Sequence, residues 1–151
     1  MESSPLSQFK GELMNATLKS LIAEFSSEKS FSKASPSPAS IAQCEEELGI
    51  ILSNQYKEFL VLYGQGGFNG FYVLGFNKAG KPAFVRETIE HREYGLPNQL
   101  VAIENCDEWL YCENSANGSI VSWSPDGEIL DAYDDFDSYL LDRMNDAIEN
   151  L

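Results

Sequence analysis

Residues Tyr63–Phe76 read YGQGGFNGFYVLGF, with four glycines in the first eight positions and an apolar run behind them. Such a segment either cradles a phosphate or turns the chain. A phosphate loop leaves a strand and enters a helix, so that helix amides face the anion. Here the order is reversed. Tyr56, Phe59, Leu60 and Tyr63 recur at helical spacing from a start near Ser53, Gly64 stands where a C-cap glycine belongs, and a strand is expected over Phe71–Phe76. Gly64-x-Gly66 would also need a third glycine at position 69, which is Asn69, and no Gly-Lys-Ser/Thr occurs. The glycines are therefore read as turns, with at least one of Gly64, Gly66 and Gly67 at positive φ.

Upstream, Met14, Leu18, Leu21, Ile22 and Phe25 share one face of a helix expected over Ser7–Phe25. Residues 26–40 hold seven serines and two prolines and read as a loop. Ser37 and Pro38 open a second helix, with Ile41, Cys44 and Leu48 inward and Gly49 at its end. Downstream, NKAGKP is a turn and FVRETIEHREYG a short helix closed by Gly95 and Pro97. Four extended stretches follow: QLVAIE (99–104), WLYCE (109–113), SIVSW (119–123) and EILDAY (128–133). Asn117-Gly118 and Ser124-Pro125-Asp126-Gly127 mark hairpin turns between them. A last helix over Phe136–Leu151 places Phe136, Leu140, Met144, Ala147, Ile148 and Leu151 on one stripe. The expectation is one α+β domain, an antiparallel or mixed sheet packed with helices. Residues 1–36 form an N-terminal helix and serine-rich loop packed on a domain of residues 37–151.

Composition narrows the function. A chain of 151 residues with 43% apolar content suits one folded domain. No apolar run approaches the ~18 residues of a membrane-spanning helix, and the start MESSPLSQFKGELM does not read as a secretory signal. Three cysteines, with no Cys-x-x-Cys pair, suit free thiols and a cytoplasmic location. Charge is the strongest signal. Residues 1–85 carry 8 acids and 7 bases, whereas residues 86–151 carry 16 acids and 3 bases, net −13. Phosphate contacts need lysine and arginine, so direct nucleic-acid binding is not expected. An acidic surface favours a basic protein partner, although it also serves solubility.

Chemistry is hard to find. His91 is the only histidine and falls in a charged helical stretch, which reads as surface. With no paired cysteines, a transition-metal site lacks ligands, and no Gly-x-Ser-x-Gly elbow occurs. The cluster Asp131, Asp134, Asp135, Asp137 and Asp142 lacks the glycine and closing glutamate of a calcium loop. Asp134, Asp135 and Asp137 instead suit a helix N-terminus, as caps and dipole partners. No catalytic residue, cofactor or metal is assigned, and no enzyme is expected; metal-dependent hydrolysis by the 131–142 carboxylates is the catalytic alternative. A second cluster, Glu104, Asp107, Glu108 and Glu113, interleaves with Trp109 and Tyr111. Either the aromatics anchor a basic partner among the carboxylates, or they alternate into the core while the acids face solvent. The partner-binding set expected from both clusters is Glu104, Asp107, Glu108, Trp109, Glu113, Asp131, Asp134 and Asp135.

The stretch SIAQCEEELGIILSNQYKEFLVLYGQGGF carries Ile41, Glu45, Leu48, Gly49, Leu52, Tyr56, Lys57, Phe59, Leu60, Gly66 and Gly67 in an order that resembles the SUKH superfamily signature. The Asp-Gly hairpin and the closing DDFDSYLLDRM also look similar, so the resemblance spans roughly 37–145. Ser53 stands where the family usually has proline, which a helix N-cap accommodates. The resemblance implies a SUKH-like fold and a cytosolic, non-catalytic immunity protein. Its partner would be a cognate polymorphic toxin domain, a basic protein such as a nuclease, whose basic surface the acidic face occludes. The eukaryotic relatives imply the alternative of a regulatory adaptor that scaffolds cellular proteins.

Overall fold

The computed structural model describes residues 16–151. The chain is helical over 16–25 (α1); the expected start at Ser7 and the inward Met14 lie outside the described residues. Four more helices follow: α2 (Pro38–Leu48), α3 (Asn54–Tyr63), α4 (Ala83–Arg92) and α5 (Phe136–Glu149). Between α4 and α5 the strands β1 (Leu100–Asn105), β2 (Leu110–Asn114), β3 (Ile120–Trp123) and β4 (Ile129–Tyr133) form an antiparallel meander in the order β1-β2-β3-β4. The expected α+β class holds.

The helix starts follow the sequence signals. Ser37 accepts from the Ser40 amide at 3.1 Å with Pro38 at the first helical position. Ser53, in the place where proline was expected, caps α3 by accepting from the Tyr56 amide at 3.1 Å. Asp135 caps α5 through Ser138 N at 2.8 Å. Gly49 ends α2 in the left-handed region, φ 72°.

The expected strand Phe71–Phe76 is not one. The segment is extended, but it makes isolated bridges, Gly66–Val73 and Phe76–Pro82. Its polar groups are spent locally. Val73 and Gly66 exchange two backbone hydrogen bonds (2.8 and 2.9 Å), Phe76 N–H donates to Gly64 O, and Gly75 N–H donates to the Gln65 side chain. One backbone–backbone bond reaches the sheet, from Leu74 N–H to Ile103 O at 2.7 Å, which covers part of the outer edge of β1.

The opening glycines turn the chain, as expected. Gly64 has φ 77° and Gly66 φ 140°, and a Cβ on Gly66 would run into the Ser30 carbonyl oxygen. Gly66→Ala is therefore expected to lower stability by about 1–2 kcal/mol. A denaturant midpoint equal to wild type would overturn that reading.

The sheet is covered on both sides. Val101, Ile103 and Ile120 face α2, α3 and α5, in a core centred on Tyr56, Phe59, Leu60, Phe136, Tyr139 and Met144. Leu100, Ala102, Leu110, Cys112, Val121 and Trp123 face the other way, with Leu96. There α4 covers β1, and Thr88 Oγ1 accepts from Ala102 N–H at 2.9 Å. The serine-rich loop is tied in by backbone bonds from Ser32 to Gln65 and from Lys33 to Tyr63. Leu18 and Ile22 of α1 are buried in the same core.

Candidate functional site

Both readings of the sequence leave Glu104 and Glu113 at the surface. The structure corrects this: Glu104 is 3% and Glu113 0% exposed. The register of β1 on β2 slips between Ala102 and Glu104, so Glu104 pairs with Tyr111 and shares its side of the sheet. Such a bulge re-aims a side chain. Glu104 Oε1 accepts from Tyr139 Oη at 2.6 Å and Arg143 Nε at 2.9 Å; its Oε2 accepts from Arg143 Nη2 at 2.7 Å and Tyr72 N at 3.1 Å. The pair is bidentate, the strong arrangement for arginine and carboxylate. Burial, and then the Glu104 carboxylate, push the Tyr139 hydroxyl well above its ordinary pKa.

Glu113 stands two residues from Tyr111 on the same face, where the start of α3 covers it. Its carboxylate accepts from Ser53 N at 2.9 Å and Ser53 Oγ at 2.6 Å, at the entrance of α3. Burial raises its pKa, and the two serine bonds and Lys57 oppose the rise. Neither glutamate is offered to a partner in this fold.

The other expected residues reach the surface. Asp107, Glu108 and Asp134 are exposed, as is Asp131 in β4. Asp135 is half-buried at its cap, where Gln55 Nε2 also donates to it at 3.3 Å. Trp109 is 38% exposed, with its ring edge-on to Tyr111 at 6.1 Å. Tyr111, Tyr133 and Tyr139 then pack within 6.0 Å of one another. Arg143 lies over the Tyr111 ring at 5.6 Å, and Tyr133 Oη donates to Asp142 at 2.6 Å. The outcome mixes the two expectations: Tyr111 and two of the acids go inward, while Trp109, Asp107 and Glu108 stay out. Of these four rings only Trp109 is exposed, with Asp107 and Glu108 beside it in the chain.

Tyr133 and Arg143, half-buried, and Tyr139, wholly buried, were missed as the groups that Tyr111 packs on. Their only sequence signal is that Arg143 is one of three bases in the last 66 residues, which marks it as a counter-charge.

Burial pushes the Cys44 thiol up to about 11 and those of Cys106 and Cys112 to about 12, leaving them protonated at neutral pH. His91, expected at the surface, is half-buried against Trp123 at 6.1 Å, and its Nδ1 lies 2.9 Å from Glu87 O. Among the described residues, no three His, Cys, Asp or Glu converge as metal ligands, and no helix is long and apolar enough to cross a membrane.

The family model described as SMI1-KNR4 cell-wall, of the SUKH group, matches residues 14–145. The chain belongs to the SUKH superfamily. The match takes in α1 and the serine-rich loop along with residues 37–145. SUKH domains are in general non-catalytic immunity or regulatory domains that act by binding other proteins, and membership is consistent with an immunity type of role. In this SUKH domain the bidentate Glu104–Arg143 pair packs against Tyr111 and Tyr139.

Proposed function

We propose that this SUKH protein is an immunity protein that binds and neutralises a cognate bacterial toxin domain, in particular a basic nuclease. It does so without catalysis, by laying its acidic face over the toxin's basic surface. One observation carries the reading: Trp109 stands exposed among Asp107 and Glu108 in a half-chain of net −13. A nuclease must be basic where it holds phosphates, and an acidic face reproduces that pattern of charge. The binding set is Asp107, Glu108, Trp109, Asp131, Asp134 and Asp135. The family's cell-wall description favours a second reading, a non-catalytic adaptor that scaffolds cellular proteins.

The test uses a basic toxin domain, sought first among the products of the neighbouring genes. Asp107→Asn, Glu108→Gln, Asp131→Asn and Asp134→Asn are combined, and Glu104 is left alone because it is buried. Folding stability should move by no more than about 0.5 kcal/mol per site. Association at low salt should slow by about tenfold or more, and protection of cells expressing the toxin should weaken. A variant that associates at the wild-type rate at low salt would place the binding surface elsewhere.

A further inference from the structure

We propose that the outer edge of β4 receives an extended, basic segment of the partner as a fifth strand. This rests on the reading of an acidic docking protein and names how the docking is made.

The two edges of the sheet differ. On the β1 side, Leu74 N–H donates to Ile103 O, and α4 packs over the strand. The β4 side is bare. Ile129, Leu130, Asp131 and Ala132 are all exposed, with Ile129 at 45% and Leu130 at 54%. The register pairs Trp123 with Ile129, Ser122 with Leu130 and Val121 with Asp131. Ser124 N–H donates to Glu128 O at the hairpin end. Because bonded and non-bonded pairs alternate in an antiparallel ladder, Ser122–Leu130 is the next bonded pair. Ile129 and Asp131 therefore direct their N–H and C=O groups out of the sheet. Among the described residues, nothing meets them.

Natural edges of this kind are blunted, usually by lysine or proline. Here the edge carries only acids, Glu128 and Asp131, with Asp126 before it and Asp134 after it. Beside it runs a polar groove of about 530 Å³, lined by Asn117, Ser119, Asp131, Tyr133, Asp134 and Ser138. Strand addition supplies affinity through main-chain bonds and specificity through alternate side chains. A segment alternating apolar and basic residues meets both requirements: its apolar side chains rest on Leu130, and on the opposite face its lysines or arginines reach Asp131 and Asp134. A second copy of this chain fits poorly, since two-fold pairing about Asp131 sets that carboxylate against itself, and like charges directly opposed destabilise a sheet.

The probe is an eight-residue peptide of alternating lysine and valine. A control peptide has the same sequence, with alternate amides N-methylated. Amide hydrogen exchange is read residue by residue. In the free protein, the Ile129 and Asp131 amides should exchange fast and that of Leu130 slowly. The Lys/Val peptide should slow Ile129 and Asp131 by about tenfold or more, and the methylated peptide should not. In Ile129→Pro, which removes an outward N–H and spares the ladder, Asp131 should stay unprotected. Lys/Val binding without that protection, equal effects of the two peptides, or no binding overturns the edge mode. Repeating the exchange with the toxin domain separates the two ideas. Toxin binding that leaves both amides fast sinks the edge alone; peptide protection with no toxin binding sinks the immunity reading alone.

Discussion

Arg143→Ala is expected to lower the unfolding free energy by about 3–5 kcal/mol, the cost of leaving a buried carboxylate without its counter-charge. Glu104 lies 3% exposed, and Arg143 supplies two of its four hydrogen bonds. Removing the guanidinium leaves Tyr139 Oη and Tyr72 N–H to hold a full negative charge away from water. Glu104→Gln added to Arg143→Ala should recover more than half of the loss, because a neutral amide needs no partner charge and still accepts from Tyr139. Chemical denaturation of the three variants decides it. A loss under about 1 kcal/mol for Arg143→Ala, or no recovery in the double variant, would show that the carboxylate is solvated after all.

A second large effect concerns Asp137 and runs with pH. Its carboxyl is 2% exposed in the first turn of α5, and its Oδ2 has no hydrogen-bond partner. Burial first, and then the charges of Asp135 and Glu58, push its pKa up to about 7. An unfolded aspartate titrates near 3.9, so between about pH 4 and 7 the folded chain binds the proton more tightly than the unfolded one. Stability must then fall as pH rises through that window. Asp137→Asn removes the titration and should be more stable than wild type by about 2 kcal/mol at pH 8, with little difference at pH 4. That magnitude is below the full ~4 kcal/mol of a three-unit shift, because the α5 N-terminus favours negative charge. Parallel stability–pH curves for the two proteins would contradict the assignment.

Most of the fold was legible because its signals are local. Ser37-Pro38, Ser53, Gly64, the Asp-Gly turn and the stripe of α5 each act within a few residues and stand where expected, except that α5 ends at Glu149 and leaves Leu151, expected on the stripe, 75% exposed. Non-local competition was not legible. The segment after the glycines has strand composition, yet Gly66, Gly64 and Gln65 take its hydrogen bonds before any ladder can. The candidate site was half legible for the same reason. Asp107, Glu108 and Trp109 stay outside because they sit in or beside the turn between β1 and β2. The bulge at Ala102/Glu104 turns Glu104 to the side of Tyr111, and Glu113, two residues beyond Tyr111, lies on that same side under the start of α3. No sequence period encodes a register slip. The exposure of Ile129 and Leu130 depends on β4 being last in the sheet, which is a property of topology.

The tie between Ser53 and Glu113 spans 60 residues. Gln55 reaches still further, accepting from Asp137 N–H at 3.0 Å and donating to Asp135. The first turn of α3 is thus completed by groups from β2 and from the start of α5. A fragment ending near residue 85 would lack all three partners, and one beginning there would bury Glu113 against nothing. The near-neutral first half and the acidic second half cannot be exchanged between relatives as separate modules. Recombination that joins a foreign acidic half to this helical half would have to bring residues matching Glu113 and Asp135, so the outward acids of the second half are inherited together with the interior that supports them.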